Sequence, residues 1–467
     1  MEDGPHVSSS SASLVTLPPE LRQAILCAVP DSSSLRALAL SCSSYYHAFR
    51  EMKSHIISKI LSDGVPLELL PTALLVHESS SLKSWCKDPV LDFLPRLRNG
   101  RAPATANVSS AVITFSDALS ISGLYDHVRF FTADFASLAL SAHPIGAVPD
   151  PAPEPLSSQE QRRIERAFYR FELYCNLFRN RRPNRGGNHS RDHRFTTVEQ
   201  QDYFFSLFPA WENEQLACIH DYLFQRLSKP FNDMAEHDIE WGGWERKPAH
   251  LFEEPDNCGM QYFLSCGLRF LRQVIQAETY DERQGLMQEF HIDTEFLHDG
   301  LTATSDLGQW LTLSNALAED GPSQAWRWAH SVYETSELCY LSYAHWNLRE
   351  RGYVMWDLPR LSRWGLFREP FFVTDPPVNF EESNRRNEEM EQSWNERSRI
   401  SQRGGWGWWS ADDQSKVQWP EPVHEKPAYP YPKPTPPARF PAFETYDQFK
   451  AEMKAWREKV ALAKNGD

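Results

Sequence analysis

Three groups of side chains have the types that could do chemistry. Cys218, His220 and Asp221 bring a thiol, an imidazole and a carboxylate within four residues, the materials of nucleophilic catalysis. On a helix, positions two and three apart do not all face one another, so this spacing argues against a working triad. His189, Asp192 and His193 lie in a turn-rich stretch, 186–194, and are of metal-ligating types. No further ligand is anchored at a recognisable spacing, and the arginines around them oppose a cation. His237, Asp238 and Glu240, beside Trp241 and Trp244, could serve acid–base work, yet the same set is common in structural turns. The chain carries no phosphate-binding Gly-rich loop, no Gly-x-Gly-x-x-Gly and no Gly-x-Ser-x-Gly. No catalytic, cofactor-binding or metal-ligating residue is assigned, and the expectation is a protein that is not an enzyme.

Two further groups bear on binding. Arg179, Arg181, Arg182, Arg185, Arg191 and Arg194 crowd one loop. They could contact phosphates, act as a nuclear import signal, or recognise a phosphorylated target bidentately. A solvated loop whose charge partly balances an acidic chain is the simpler account of them. Trp406, Trp408, Trp409 and Trp419 stand in a Gly-rich segment that cannot build a core of its own. They either pin the tail to the helical body or present a partner surface. The Tyr429-Pro430-Tyr431-Pro432-Lys433-Pro434 run favours polyproline II, as a spacer or as an SH3 or WW ligand.

The elements that must position these residues are helical. Ile164, Phe168, Phe171, Cys175 and Phe178 recur at four-three-four-three spacing behind a Ser158/Gln161 capping box. Leu216, Ile219, Leu223 and Leu227 mark a second helix, and Met260, Phe263, Leu264, Leu268, Leu271 and Ile275 a third. Ala111 to Phe115 is the best short strand candidate. Thr445 and Gln448 open a final helix through Phe449, Met453, Trp456 and Val460. The fold class is therefore mainly α.

With 467 residues and 41% hydrophobic content, the chain can hold two or three domains or one large one with appendages. A net charge of −15 argues against nucleic acid and anionic membrane as partners. None of the eight cysteines forms a Cys-x-x-Cys pair, which is the usage of a reducing compartment. No signal peptide and no apolar run of membrane-spanning length is present, so a soluble protein of cytoplasm or nucleus is expected.

Composition divides the chain into a disordered tail (1–13), an N-terminal helical module (14–62) and a helical connecting region (63–142). A Pro-rich linker or loop (143–158), a helical domain (159–375), an irregular charged, Trp- and Pro-rich segment (376–443) and a C-terminal helix (444–467) follow.

The N-terminal module is the most informative stretch. Pro18 and Pro19 suit a first helical turn, Thr16 can cap it, and Glu20 sits where the helix dipole favours an anion. Leu21, Ile25, Leu26 and Val29 share one face. A second helix carries Leu35, Leu38 and Cys42, and a third carries Tyr45, Phe49, Met52, Ile56 and Ile60 as one stripe. Three such helices bury little surface alone and could be the first layer of a larger domain. Leu17, Pro18, Glu20, Leu21, Ile25, Leu26, Leu35 and Leu38 resemble the Leu-Pro-x-Glu-Leu start and following apolar positions of the F-box. Where many F-boxes have Val-Cys-Arg-x-Trp, this chain has Ser41-Cys42-Ser43-Ser44-Tyr45-Tyr46. Arg163 to Glu172, Trp211 to Leu216 and Arg351 to Asp357 also look like fungal F-box proteins with an uncharacterised helical C-terminal region.

The resemblance implies a three-helix F-box module packed on or linked to the larger helical domain. It further implies that Leu17, Pro18, Leu21, Ile25, Leu26, Leu35 and Leu38 bind a Skp-type adaptor, joined to a cullin, while the remainder holds an unidentified target protein. Alternatives are an interaction protein whose F-box-like helices pack internally, and a nucleic-acid binder using the arginine loop.

Overall fold

The helical periodicities close into nineteen α-helices among the described residues, with two strands of two residues each. A computed structural model describes residues 14–29, 32–82, 87–99, 113–141, 154–179, 195–243, 257–288, 296–302, 321–332, 346–367 and 380–420. Residues 1–418 make one unit and 419–467 a second, in which only 419 and 420 are described. The 1–13 tail, most of the Pro-rich linker, the His189/Asp192/His193 group, Trp244, the polyproline run and the C-terminal helix lie outside the described residues.

The N-terminal module is four helices rather than three: α1 (Pro19–Ala28), α2 (Ser32–Ser41), α3 (Ser43–Glu51) and α4 (Lys53–Gly64). The stripe from Tyr45 to Ile60 breaks at Met52, whose φ of −104° and ψ of 13° leave the helical region. The break has a packing consequence. Tyr45, Ala48, Phe49 and Ile56 join Leu26, Leu35 and Ala39 in a small core of the module, whereas Ile57 and Leu61 turn into the main core.

Next come α5 (Leu70–Ser80), α6 (Lys87–Asn99) and α7 (Phe115–Ala139). The expected strand at Ala111 to Phe115 does not form in its described part. Ile113 and Thr114 are irregular, and Phe115 already starts α7. Thr114 and Asp117 make a reciprocal capping box there, which satisfies backbone N–H groups that a strand would have needed to pair elsewhere.

The centre is built on α8 (Ser158–Phe178) and α10 (Ala210–His237), joined through α9 (Thr197–Tyr203). Ile164, Phe168 and Phe171 are fully buried, as are Ile219, Leu223 and Leu227. The α8 capping box uses Ser157 and Glu160, one residue before the expected Ser158 and Gln161. A carboxylate at the third position accepts the Ser157 N–H as a charge-assisted bond and suits the positive helix end, which a Gln amide does less well. After α11 (Ile239–Gly243), the apolar run from Met260 to Ile275 is two helices, α12 (Cys258–Ser265) and α13 (Leu268–Gln276). They part at Gly267, where φ is +84° and a Cβ would meet the Glu172 carboxylate at 2.8 Å.

Short helices α14 (Tyr280–Met287), α15 (Leu297–Thr302), α16 (Pro322–Val332), α17 (Trp346–Glu350) and α18 (Leu358–Arg363) complete the body. The segment 376–443, expected to be irregular, instead contains a 23-residue helix, α19 (Phe380–Gln402). It packs on α11: Trp394 Nε1 donates to Gly242 O at 2.6 Å, and Arg397 Nη1 to Asp238 O at 2.8 Å. A hairpin follows, pairing Trp406–Gly407 (β1) antiparallel to Val417–Gln418 (β2).

Candidate functional site: the outer face of the N-terminal helices

The first turn of α1 orients the site. Pro18 takes the N-cap position (φ −52°, ψ 150°) without a side-chain cap, and Pro19 opens the helix. The expected cap, Thr16, lies instead in a 3₁₀ turn, Leu14–Thr16. Proline needs no N–H partner in the first turn, so this start stands without a capping side chain.

The seven residues singled out from sequence separate into two sets. Leu26 and Leu35 are 1% and 3% exposed and belong to the module's own core, so a docked partner would not reach them. Ile25 and Leu38 are half-buried and pack against that core, and Leu17 is half-buried. Pro18 is exposed, and Leu21 is 51% exposed. Leu14 in the 3₁₀ turn and Leu40 and Tyr46 on α2 and α3, which sequence reasoning missed, are also exposed, Leu40 at 64%. Leu40 sits two residues beyond Leu38, off the inward stripe, and its type at that position was the available signal. Leu21, Leu40 and Tyr46 are thus large side chains that the packing of α1 to α4 leaves in water.

The module joins the body through α4 and through an edge-to-face pair, Phe49 and Phe115, with ring centroids 4.8 Å apart. Between module and body lies a cavity of about 100 Å³, lined in part by Leu26, Cys27, Val29, Leu35 and Ile56. Lys59 and Asp63, paired at 2.6 Å, form part of its wall.

The groups with candidate chemistry are placed as core. His220 Nδ1 and Asp221 Oδ1 are 2.9 Å apart, and Gln261 Nε2 lies 3.0 Å from His220 Nε2. With the Gln261 amide donating to Nε2, Nδ1–H donates to Asp221, so both ring nitrogens are engaged. No hydrogen bond joins Cys218 to either, and burial pushes its thiol well above the usual range. Arg349 donates to Glu214 at 2.8 and 3.2 Å and to Asp221 at 3.3 Å. Burial lowers the pKa of His298, whose ring lies near that of His220, to about 3.

This network is one of three Arg–carboxylate clamps that sequence reasoning missed. Arg360 grips Glu160 through two bonds of 2.8 Å, and Arg163 meets Asp357 at 3.0 Å. Together they seat Tyr353, Val354, Met355 and Trp356, all at most 1% exposed, against α8 and α10. The phrase Arg351 to Asp357 thus reads as a buried plug. Residues more than a hundred positions apart carry no joint signal in one sequence.

Asp238 is buried and accepts from Tyr280 Oη and Trp241 N, each at 2.7 Å. Burial raises its pKa despite these bonds. His237 Nδ1 lies 3.0 Å from Trp409 O, and its ring packs against Trp408 at a 30° tilt. Trp409 N donates back to His237 O at 2.9 Å. Trp408 and Trp409 therefore pin the hairpin to the α10–α11 corner, while Trp406 is 36% exposed. Of the arginine loop only Arg179 is described, with its guanidinium over the Tyr262 ring.

Among the described residues no three His, Cys, Asp or Glu side chains converge as metal ligands, and no helix is long and apolar enough to cross a membrane. Six described cysteines are free thiols. Comparison with known proteins returns no match from protein-family models, curated proteins or solved structures.

Proposed function

We propose that the chain is a non-catalytic, substrate-recruiting adaptor of a Skp–cullin–F-box type ubiquitin ligase, acting in cytoplasm, nucleus or both. One observation carries the reading. The module fills its own core with Leu26, Leu35, Tyr45, Phe49 and Ile56, yet leaves Pro18 and Leu21 of the Leu-Pro-x-Glu-Leu start outside it. On this reading Pro18 and Leu21 touch the Skp-type adaptor, with Leu17, Ile25 and Leu38 at the margin. The helical body then holds a target protein near the conjugating enzyme, and the rate gain comes from proximity alone.

A second reading, an interaction protein whose F-box-like helices pack internally, draws on the Phe49–Phe115 contact and on Ile57 and Leu61 in the main core. Recovery of the tagged full chain from its native cells, with mass spectrometry, separates the two. A Pro18→Ala/Leu21→Asp variant, checked for an unchanged melting temperature, serves as control. The adaptor reading expects a Skp adaptor and a cullin with the native chain only. Their absence from the native sample favours internal packing.

A further inference from the structure

One face of α8 grips the corner between α12 and α13 through three side chains. Glu172, Cys175 and Arg179 stand three and four residues apart and so share that face. Glu172 Oε2 accepts the Leu268 N–H at 2.7 Å, Cys175 Sγ donates to Leu264 O at 3.7 Å, and Arg179 Nη2 donates to Cys266 Sγ at 3.0 Å. Cys266 is the C-cap of α12, and in its thiol form it donates to Tyr262 O at 3.6 Å. Both sulfurs therefore lie against the last turn of α12. They differ in access, for Cys175 is 2% exposed and Cys266 is half-buried. The Arg179 guanidinium also lies over the Tyr262 ring, and its backbone N–H donates to Cys175 O at 3.1 Å. A guanidinium keeps its charge at neutral pH, and a cation in contact with a sulfur favours the thiolate. Two groups oppose that anion, the carbonyl end of α12 and the Glu172 carboxylate. The helix end carries about half a charge, whereas Arg179 brings a full one into direct contact.

We infer that Cys175, Cys266 and Arg179 form a redox-sensitive clamp, in which a hydroperoxide oxidises Cys266 and Cys175 then closes a disulfide between α8 and α12. The Cys266 thiolate attacks hydrogen peroxide, an S–O bond forms as the O–O bond breaks, and hydroxide leaves. The sulfur is oxidised to a sulfenic acid and the peroxide is reduced. The hydroxide takes the Cys175 proton, and the Cys175 sulfur attacks that of Cys266. The S–O bond breaks, and the second hydroxide regains the proton that Cys266 first gave to solvent. The sum turns two thiols and one peroxide into one disulfide and two waters. The new bond replaces both sulfur contacts and releases Arg179 from Cys266. The clamp is independent of whether the N-terminal module binds an adaptor.

The test uses the purified, reduced full chain. Iodoacetamide near neutral pH, read by peptide mass spectrometry, gives alkylation rates for Cys266 and for Cys27 and Cys42, which are also half-buried. Cys266 should react about tenfold faster than either, and Arg179→Gln should bring it down to their rate. After brief treatment with hydrogen peroxide and blocking with N-ethylmaleimide, the native chain should yield a linked Cys175–Cys266 peptide that dithiothreitol separates. Cys175→Ser should instead accumulate a Cys266 sulfenic acid that dimedone traps. Thermal melts check that both variants fold, and the native-chain rates and linked peptide need no variant. Cys266 reacting no faster than Cys27 and Cys42, or equally fast in folded Arg179→Gln, would overturn the activation. A native chain that stops at the sulfenic acid, or links Cys266 to any other cysteine, would overturn the clamp.

Discussion

Arg349 and Glu214 meet through two hydrogen bonds, Nε to Oε1 at 2.8 Å and Nη2 to Oε2 at 3.2 Å, with both side chains shut off from water. The pair ties α17 to the N-terminal part of α10. Removing one partner of a buried pair strands the other as an uncompensated charge. Arg349→Met should therefore cost about 3–5 kcal/mol in urea unfolding, and replacing Glu214 by Met in the same chain should recover much of the loss. Equal stability of the single variant and the native chain would contradict this role.

Stability should fall as pH rises through neutrality because of the same carboxyl. Burial pushes Glu214 from 4.5 up to about 7, against the lowering effect of Arg349. The folded state thus binds a proton that the unfolded chain has released. The contribution is fully present below about 4.5 and is lost as pH rises through about 7. Glu214→Gln removes this dependence while other titrating groups, such as Asp117 with its lowered pKa, stay common to both proteins. The native chain should lose about 3 kcal/mol more than Glu214→Gln between mildly acidic and mildly basic pH. Parallel pH profiles would count against the buried-proton account.

Phe115 packs against both the module's core and the main core. Phe115→Ala should cost roughly 3 kcal/mol. In hydrogen exchange, protection should fall across α1 to α4 while α8 stays protected. On the adaptor reading, binding should survive, since neither Pro18 nor Leu21 belongs to the module's core. Uniform loss of protection would mean that module and body unfold as one unit.

The helices that read clearly from sequence are those with an apolar stripe. Ile164, Phe168, Phe171 and Cys175 repeat at helical spacing and are buried as that spacing requires. Breaks within stripes were harder to read. Met52 interrupts α3–α4 without a Pro or Gly, and at Gly267 the run crosses a positive-φ turn that apolar periodicity does not register. The helix α19 was missed because its charged residues, such as Arg385 and Glu389, mask the few contacts on its packed side, Trp394 and Arg397. At the candidate site, Pro18 and Leu21 were legible as motif positions. Periodicity put Leu26 and Leu35 on an apolar face, but it does not distinguish a face turned to a partner from one turned to the module's own core.

The central claim rests on Leu21 as a contact rather than a core residue. Its most direct test is binding of the purified full chain to a purified Skp adaptor by calorimetry, native beside Leu21→Asp, with thermal melts of both. The account predicts measurable binding by the native chain and at least a tenfold loss in Leu21→Asp at an unchanged melting temperature, equivalent to about 1.4 kcal/mol. Equal binding by both chains, or none by the native one, would contradict it.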